Sequence, residues 1–336
     1  MPRHQVLIEE TGACFSVDDG ESVLAAALRA DIPFPHECTF GNCGSCRFRL
    51  CQGEVAYDEP PPALSDEEAR AGYALGCQAH PRSDLRISIA AGAADFPPSR
   101  VCEARIVEIG AWNPDTTRLV LQADGDLPYV PGQHLGILLP DGRTRNFSMA
   151  APPSDGRIEL QIRRIPGGAF TGQGLAALRP GDVLRIEAPL GTFCYHFRDY
   201  RPLLMAATGT GLAPVKAIVE SLLDDGDTPP IHLYWGQRAE SDLYLLDTIA
   251  GWASRLDDFT FVPVLSRPGP DWTGRSGYVQ HAIAADFDDL SEHACYLCGS
   301  PAMILDAKRT LLELGASAAH LYTDSFTFQP DALAAA

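Results

Sequence analysis

Four cysteines carry the most specific chemistry in the chain. Cys38-Thr-Phe-Gly-Asn-Cys43-Gly-Ser-Cys46, followed much later by Cys77, reads C-x4-C-x2-C with a distant fourth thiol. Two irons bridged by two sulfides need four converging thiolates, three from one loop and the fourth from elsewhere, and this spacing supplies them. Gly41 and Gly44 keep the loop free of side chains, so it can curve tightly and point backbone N–H groups at sulfur. A zinc site or unrelated buried thiols are the competing readings. Cys14, Cys51, Cys102, Cys194 and Cys295 fall outside the spacing and read as small apolar residues. Long chains whose cysteines fall into ligand spacings belong to reducing compartments rather than to disulfide scaffolds.

On these cysteines the first ninety or so residues resemble a plant-type ferredoxin domain, which implies a β-grasp fold. Further along, Arg145-Asn-Phe147-Ser148 resembles the Arg-x-aromatic-Ser motif of the ferredoxin-NADP reductase superfamily. The resemblance implies an Arg for the flavin pyrophosphate, a ring stacked on the isoalloxazine, and a hydroxyl near flavin N5. Tyr is the commoner aromatic there, so Phe147 keeps the stacking and loses a hydroxyl. Arg163-Arg-Ile-Pro-Gly-Gly168-Ala-Phe-Thr171 resembles the second flavin segment of that superfamily, with Thr171 at the usual Ser position. Such a segment offers backbone N–H groups and a hydroxyl to pyrophosphate. Either match alone would also suit a polar strand end or a Gly turn.

The stretch PLLMAAT runs into Gly209-Thr210-Gly211-Leu-Ala-Pro214 and then a helical pattern, bringing glycine backbone to a phosphate at a helix start. Pro214 takes the place of a third Gly and suits a first helical turn. This segment, together with Cys298-Gly299-Ser-Pro301, resembles the nicotinamide motifs of the same superfamily, which implies a Cys beside the nicotinamide. Without that company, Cys298 would read as a buried structural thiol. Tyr322-Thr-Asp324-Ser-Phe326 resembles the terminal segment that covers the flavin in relatives, with ordinary last-strand residues as the competing reading. After IHLYWG come Arg238, which could meet a 2′-phosphate, and Glu240 and Asp242, which would repel one, so NADH is expected over NADPH. The histidines show no ligand spacing and read as surface or hydrogen-bonded core residues.

The elements that must hold these motifs follow from periodicity. Residues 3–9 and 13–17 alternate as two strands, 21–30 reads as a helix, and 84–89 as a last strand before the linker-like AAGAADFPPSR. The acidic, Pro-rich YDEPPPALSDEEAR reads as a solvated loop and helix start. Between 101 and 198, ARIVEI, TRLVLQ, HLGILL, IELQIRR and DVLRIEA are strand-like runs between Gly and Pro turns, which predicts an antiparallel barrel. From Pro202, strands alternate with helices, which predicts a parallel sheet covered by helices. The expected organisation is α+β and α/β in three domains: 1–93 for the cluster, 101–198 for FAD and 199–336 for NAD.

A net charge of −18 argues against nucleic acid and anionic membrane as partners, since both attract clustered Lys and Arg. Residues 1–95 hold 7 basic and 15 acidic side chains, so an electropositive protein partner suits that segment. Residues 101–200 hold 10 and 11, the balance an anionic cofactor prefers. The acidic N-terminal stretch does not suit a secretory signal, and no apolar run reaches about 18 residues, so a cytoplasmic protein is expected. Taken over almost the whole chain, the sequence resembles the reductase components of bacterial multicomponent oxygenases, especially aromatic ring-hydroxylating dioxygenases and related monooxygenases. That resemblance implies FAD, a 2Fe-2S cluster, NADH and a terminal oxygenase as electron acceptor. A reductase of the same architecture serving a deoxysugar dehydrase is the alternative.

Overall fold

The computed structural model describes residues 3–36, 39–42, 44–89, 96–197, 200–223 and 227–326. Cys38 and Cys43, and residues 90–95 of the expected linker, lie outside the described residues. Contacts divide the chain into two units, one of residues 1–96 with 323–327 and one of the remainder.

The first unit contains β1 (His4–Ile8), β2 (Cys14–Val17), α1 (Val23–Arg29), β3 (Arg47–Gln52), β4 (Val55–Ala56), α2 (Asp66–Arg70), β5 (Tyr73–Leu75), β6 (His80–Pro81) and β7 (Leu85–Ile89). Five strands form a mixed sheet in the order β2-β1-β7-β3-β5, with β1 and β7 parallel and the other pairs antiparallel. Alternation decides the buried face: Val6 and Ile8 from β1 and Leu85, Ile87 and Ile89 from β7 all point into one core with Phe48. The Ser22 hydroxyl accepts the Ala25 N–H and starts α1, whose Val23, Leu24, Ala26 and Ala27 close that core. This is the expected β-grasp.

Two expectations for this unit need correction. The acidic stretch is not solvated throughout, because Glu68 is only 1 % exposed. Its carboxylate accepts from Arg47 Nη1 at 2.8 Å and from the Ser65 N–H at 2.9 Å, completing a capping box at the start of α2. Cys14 and Cys51 are exposed rather than packed, whereas Cys194 and Cys295 are buried as expected.

In the second unit β8 (Arg100–Asn113), β9 (Thr116–Ala123), β10 (His134–Leu138), β11 (Thr144–Ser148), β12 (Arg157–Arg163), α3 (Leu175–Ala177) and β13 (Val183–Leu190) build the expected barrel. Its order is β11-β10-β13-β8-β9-β12, with each adjacent pair antiparallel. An antiparallel bridge from Met149 to Leu160 joins its two ends, and Leu119, Leu121, Leu135, Ile137, Ile158, Leu160 and Ile186 fill the interior. Strand β11 escaped the sequence reading because TRNFS carries one apolar side chain. Its pairing comes from backbone, with Leu135 opposite Phe147 and His134 opposite Ser148.

The remainder of this unit comprises β14 (Leu203–Thr208), α4 (Leu212–Leu222), β15 (Ile231–Gln237), α5 (Leu246–Trp252), β16 (Phe259–Leu265), β17 (Arg275–Ser276), α6 (Val279–Asp286), β18 (Ala294–Gly299), α7 (Pro301–Glu313) and β19 (Leu321–Ser325). The sheet order is β17-β16-β15-β14-β18-β19, with β14 parallel to both β15 and β18. Helices on both faces explain why β14 and β18 are apolar almost without interruption. The chain leaves β14 toward β15 on one side and returns to β18 on the other, so the order reverses between β14 and β18. Open parallel sheets bind ligands at the carboxyl edge of such a reversal.

His232 on β15 and His293 each make a T-shaped contact with the Phe287 ring, with centroids 5.1 and 5.2 Å away. Burial, and then the His232 charge, hold the His293 pKa below the usual histidine range, while Asp289 and Glu292 oppose the shift. The folded state therefore takes up this proton less readily than the unfolded chain. Its contribution to stability is present above about pH 6.5 and is lost as pH falls through the folded value. Thermal unfolding between about pH 7.5 and 5 should show a shallower acid loss for His293→Gln than for the parent.

Candidate active site

On the cluster side, Cys46 and Cys77 are both buried, and the Cys77 N–H donates to Cys46 Sγ at 3.4 Å. The Gly76 N–H donates to the Cys46 carbonyl at 2.9 Å, so the strand edge that presents Cys77 is pinned to the loop that presents Cys46. Gly41 and Gly44 hold φ at +84° and +82°, and a Cβ on Gly41 would approach the Pro61 side chain to 2.9 Å. Glycine is required at Gly41 for both reasons. Buried, adjoining thiols with a backbone N–H aimed at sulfur fit an iron–sulfur cluster. Burial pushes the Tyr57 phenol up to about 12, the Cys46 and Cys77 thiolates adding to the rise.

On the flavin side, Arg145, Phe147 and Ser148 lie along β11, with Ser148 buried and Phe147 half-buried. The ring of Phe147 packs on Phe170 with centroids 5.6 Å apart, so the fold brings the two flavin segments together. A Cβ on Gly168 would collide with the Thr171 hydroxyl, and the Gly172 N–H closes back on the Gly168 carbonyl at 2.9 Å. The loop then enters a π-helical turn over Ala169–Gly174, a form frequent at functional sites. Sequence reasoning gave Phe170 no role, although an aromatic inside a Gly-rich loop was the available signal. These residues fit a flavin nucleotide: an arginine, a ring at a strand face, and a loop of backbone donors.

On the nicotinamide side, β14 ends in a 3-10 turn over Gly209–Gly211, with Gly209 at φ +58° and Thr210 half-buried. The Trp235 indole N–H donates to the Gly209 carbonyl at 2.9 Å and fixes the turn. Leu212 then starts α4, with Pro214 buried in its first turn. A Cβ on Gly211 would collide with the Cys298 carbonyl, so the phosphate-loop candidate and the end of β18 touch through backbone. Gly299 sits at φ +152° against Thr208, and Pro301 opens α7 behind Ser300, whose hydroxyl accepts the Met303 N–H at 3.4 Å. This is a cradle that a single side-chain carbon would fill, at the point where the strand order reverses, and it fits a dinucleotide phosphate.

Arg238 and Glu240 are exposed beyond β15, while the Asp242 carboxylate accepts the Ala239 N–H at 3.1 Å. Asp324 is buried and Phe326 half-buried at the end of β19, where contacts group them with the first unit. Tyr322, just before them, stacks on His196 at 4.1 Å and on Tyr296 at 4.8 Å. Neither His196 nor Tyr296 was marked by any sequence motif, since their pairing depends on the barrel's last segment meeting β18.

The fold and these sites define a flavin- and nicotinamide-dependent electron-transfer oxidoreductase carrying an iron–sulfur domain. Residues 6–82 match the 2Fe-2S iron-sulfur cluster binding domain, 103–195 the oxidoreductase FAD-binding domain and 205–309 the oxidoreductase NAD-binding domain. The chain is similar to the CDP-6-deoxy-L-threo-D-glycero-4-hexulose-3-dehydrase reductase of Yersinia pseudotuberculosis, at 32% identity over 96% of this chain and 98% of that one. It is also similar to the phenol 2-monooxygenase reductase component DmpP of Pseudomonas sp. strain CF600, at 35% over 92% and 90%. Among solved structures it is similar to the Amycolatopsis cytochrome P450 reductase GcoB, with a TM-score of 0.72 and 32% identity over 96% and 98%. The chain belongs to the family of iron–sulfur flavoprotein reductases that join a 2Fe-2S domain to FAD- and NAD-binding domains.

Because Gly211 has no room for a side chain, Gly211→Ala should push α4 away from β18. Nicotinamide nucleotide binding, followed by perturbation of the flavin spectrum with NAD+, should weaken about tenfold or more, ~1.4 kcal/mol. FAD content should stay at the parent level.

Proposed function

We propose that this chain is the NADH-oxidising reductase component of an oxygenase system, an aromatic ring-hydroxylating dioxygenase or a related monooxygenase, working in the cytoplasm. The observation that carries it is the Gly211–Cys298 backbone contact at the strand reversal, in a chain whose similarity to an oxygenase reductase component runs nearly end to end. In this reading residues 1–93 hold the cluster, 101–198 hold FAD and 199–336 hold NADH. Cys14, Cys51, Cys102, Cys194 and Cys295 are unbridged, which suits a reducing compartment. No helix among the described residues is long and apolar enough to cross a membrane.

In this reading each residue takes the part that its motif's resemblance implies. Cys38, Cys43, Cys46 and Cys77 hold the cluster, with the Cys77 N–H on sulfur favouring extra electron density there. Arg145 meets the pyrophosphate, Phe147 supports the ring from its β11 face, and the Ser148 hydroxyl stands at the flavin's reactive edge. Gly168 and Thr171 add donors to the pyrophosphate. Gly209, Thr210 and Gly211 present backbone N–H groups to the nicotinamide nucleotide, and Pro214 shapes the helix start behind them. Cys298, with Gly299 and Pro301 fixing its strand end, orients the nicotinamide. Phe326 covers the flavin and Asp324 lies beside it. Glu240 selects NADH by repelling a 2′-phosphate, with Asp242 adding to the negative field. When bound, the flavin supplies the conversion of a hydride's electron pair into single electrons, which the cluster exports.

The second reading, a reductase for a deoxysugar dehydrase, is favoured by the equally full-length similarity to the Yersinia protein. Both readings share every residue named above and differ in the partner.

Cys77→Ser separates the half-reactions. It should lose cluster absorbance and partner reduction while keeping NADH oxidation with ferricyanide. Cys298→Ala should do the reverse, slowing flavin reduction about tenfold, ~1.4 kcal/mol of barrier, with the cluster signal intact. Loss of flavin reduction in an FAD-containing Cys77→Ser protein, or an unchanged rate in Cys298→Ala, would contradict this electron path.

A further inference from the structure

A buried lysine joins the barrel to the nucleotide sheet. Lys216 lies just past the first turn of α4 with its side chain 8% exposed, and lysine is rarely buried without partners. Its Nζ donates to the Ala150 carbonyl at 2.8 Å and to Glu220 Oε2 at 2.7 Å, and stands 3.4 Å from Glu159 Oε1. Ala150 and Glu159 face each other across the barrel seam, where the Ala150 N–H donates to the Glu159 carbonyl at 2.7 Å. That seam continues directly from Ser148 at the end of β11.

The same helix opens at Gly211, whose backbone lies against the Cys298 carbonyl. One cation therefore ties the strand that carries Phe147 and Ser148 to the helix that carries the nicotinamide loop. Its neighbourhood is a cleft of about 630 Å³ lined by Trp112, Arg118, Glu159, Lys216, Glu220 and Tyr244, among others. Arg118 takes the second oxygen of Glu159 at 2.9 Å, leaving Oε1 directed at Lys216. Glu159 Oε1 has no hydrogen-bond partner among the described residues, so the lysine charge is what offsets it.

We propose that Lys216 is a positioning residue for hydride transfer: by clamping the barrel seam behind Ser148 to α4, it sets the spacing between flavin and nicotinamide. The proposal rests on the cofactor placement given under Proposed function. Transfer between two bound rings depends on their approach far more steeply than nucleotide affinity does, and a displacement of about 1 Å can cost about a hundredfold in rate. The clamp contacts neither ring, so its removal should appear in the limiting rate and not in the dissociation constant.

The test compares Lys216→Met, which keeps the apolar stem, with Lys216→Met/Glu159→Gln, which also removes the stranded carboxylate. With FAD-loaded protein and saturating NADH in stopped flow, both should show a limiting rate of flavin reduction lowered about tenfold or more, with NADH affinity within about threefold. The double variant should regain thermal stability without regaining the rate. Hydrogen exchange, measured without nucleotide, should quicken over both 147–150 and 209–215. A limiting rate within about twofold of the parent in either variant, or a rate that recovers together with stability, would overturn the proposal. So would unchanged exchange over both segments in the double variant. If NADH fails to bleach the flavin of the parent protein, the functional reading falls instead, while the exchange data still report on the clamp.

Discussion

The nicotinamide site depends on one constraint, the approach of two backbones at the carboxyl edge of the parallel sheet. Gly211 presses on the Cys298 carbonyl, and one added carbon would force α4 and β18 apart. Everything proposed for the nicotinamide depends on that contact. It places the N–H groups of a helix start and the end of β18 at one point, where the strand order reverses and leaves a crevice. The Trp235 indole on the Gly209 carbonyl and Pro301 at the head of α7 hold the two sides of that crevice from outside.

The barrel supplies the other half of the site by a different physical route. Its strands close through the Met149–Leu160 bridge, and the residues just before that seam are the ones assigned to the flavin. A closed antiparallel barrel has no free edge to distort, so β11 presents Phe147 and Ser148 on a rigid surface. The loop at Gly168, proposed for the flavin, is shaped by the absence of a side chain there and by the Phe147–Phe170 contact. Lys216 and Glu159 then join barrel to sheet with buried charge. Removing one member of such a pair typically costs about 3–5 kcal/mol, so the junction is held firmly in one arrangement.

Much of this was legible in the sequence where a pattern is local. The alternation of β1 and β7, the helix over 21–30, the strand-to-helix junctions after β14 and β18 and the cysteine spacing all depend on neighbours a few residues apart. What escaped depends on tertiary pairing. Strand β11 has almost no apolar alternation and exists because β10 offers it a backbone edge. Glu68 looked like one more acid in an acidic run, yet it is buried because Arg47 from β3 comes to meet it. Tyr296, His196 and Lys216 were marked by no motif, and their positions follow only from which segments the closed barrel and the sheet bring into contact. Cys14 and Cys51 erred the other way: the general tendency of cysteine to be buried gave way to strand positions that face solvent.

The central claim is an ordered path, from nicotinamide to the flavin site and then to the cluster held by the cysteine loop. Rapid anaerobic mixing of FAD- and cluster-loaded protein with NADH tests it, following flavin absorbance in stopped flow and the cluster by freeze-quench electron paramagnetic resonance. On this path flavin bleaching precedes the reduced-cluster signal at every NADH concentration, with the lag preserved when the first step is accelerated by more nucleotide. A cluster signal that rises with or before flavin bleaching, or that forms in protein stripped of FAD, would contradict it.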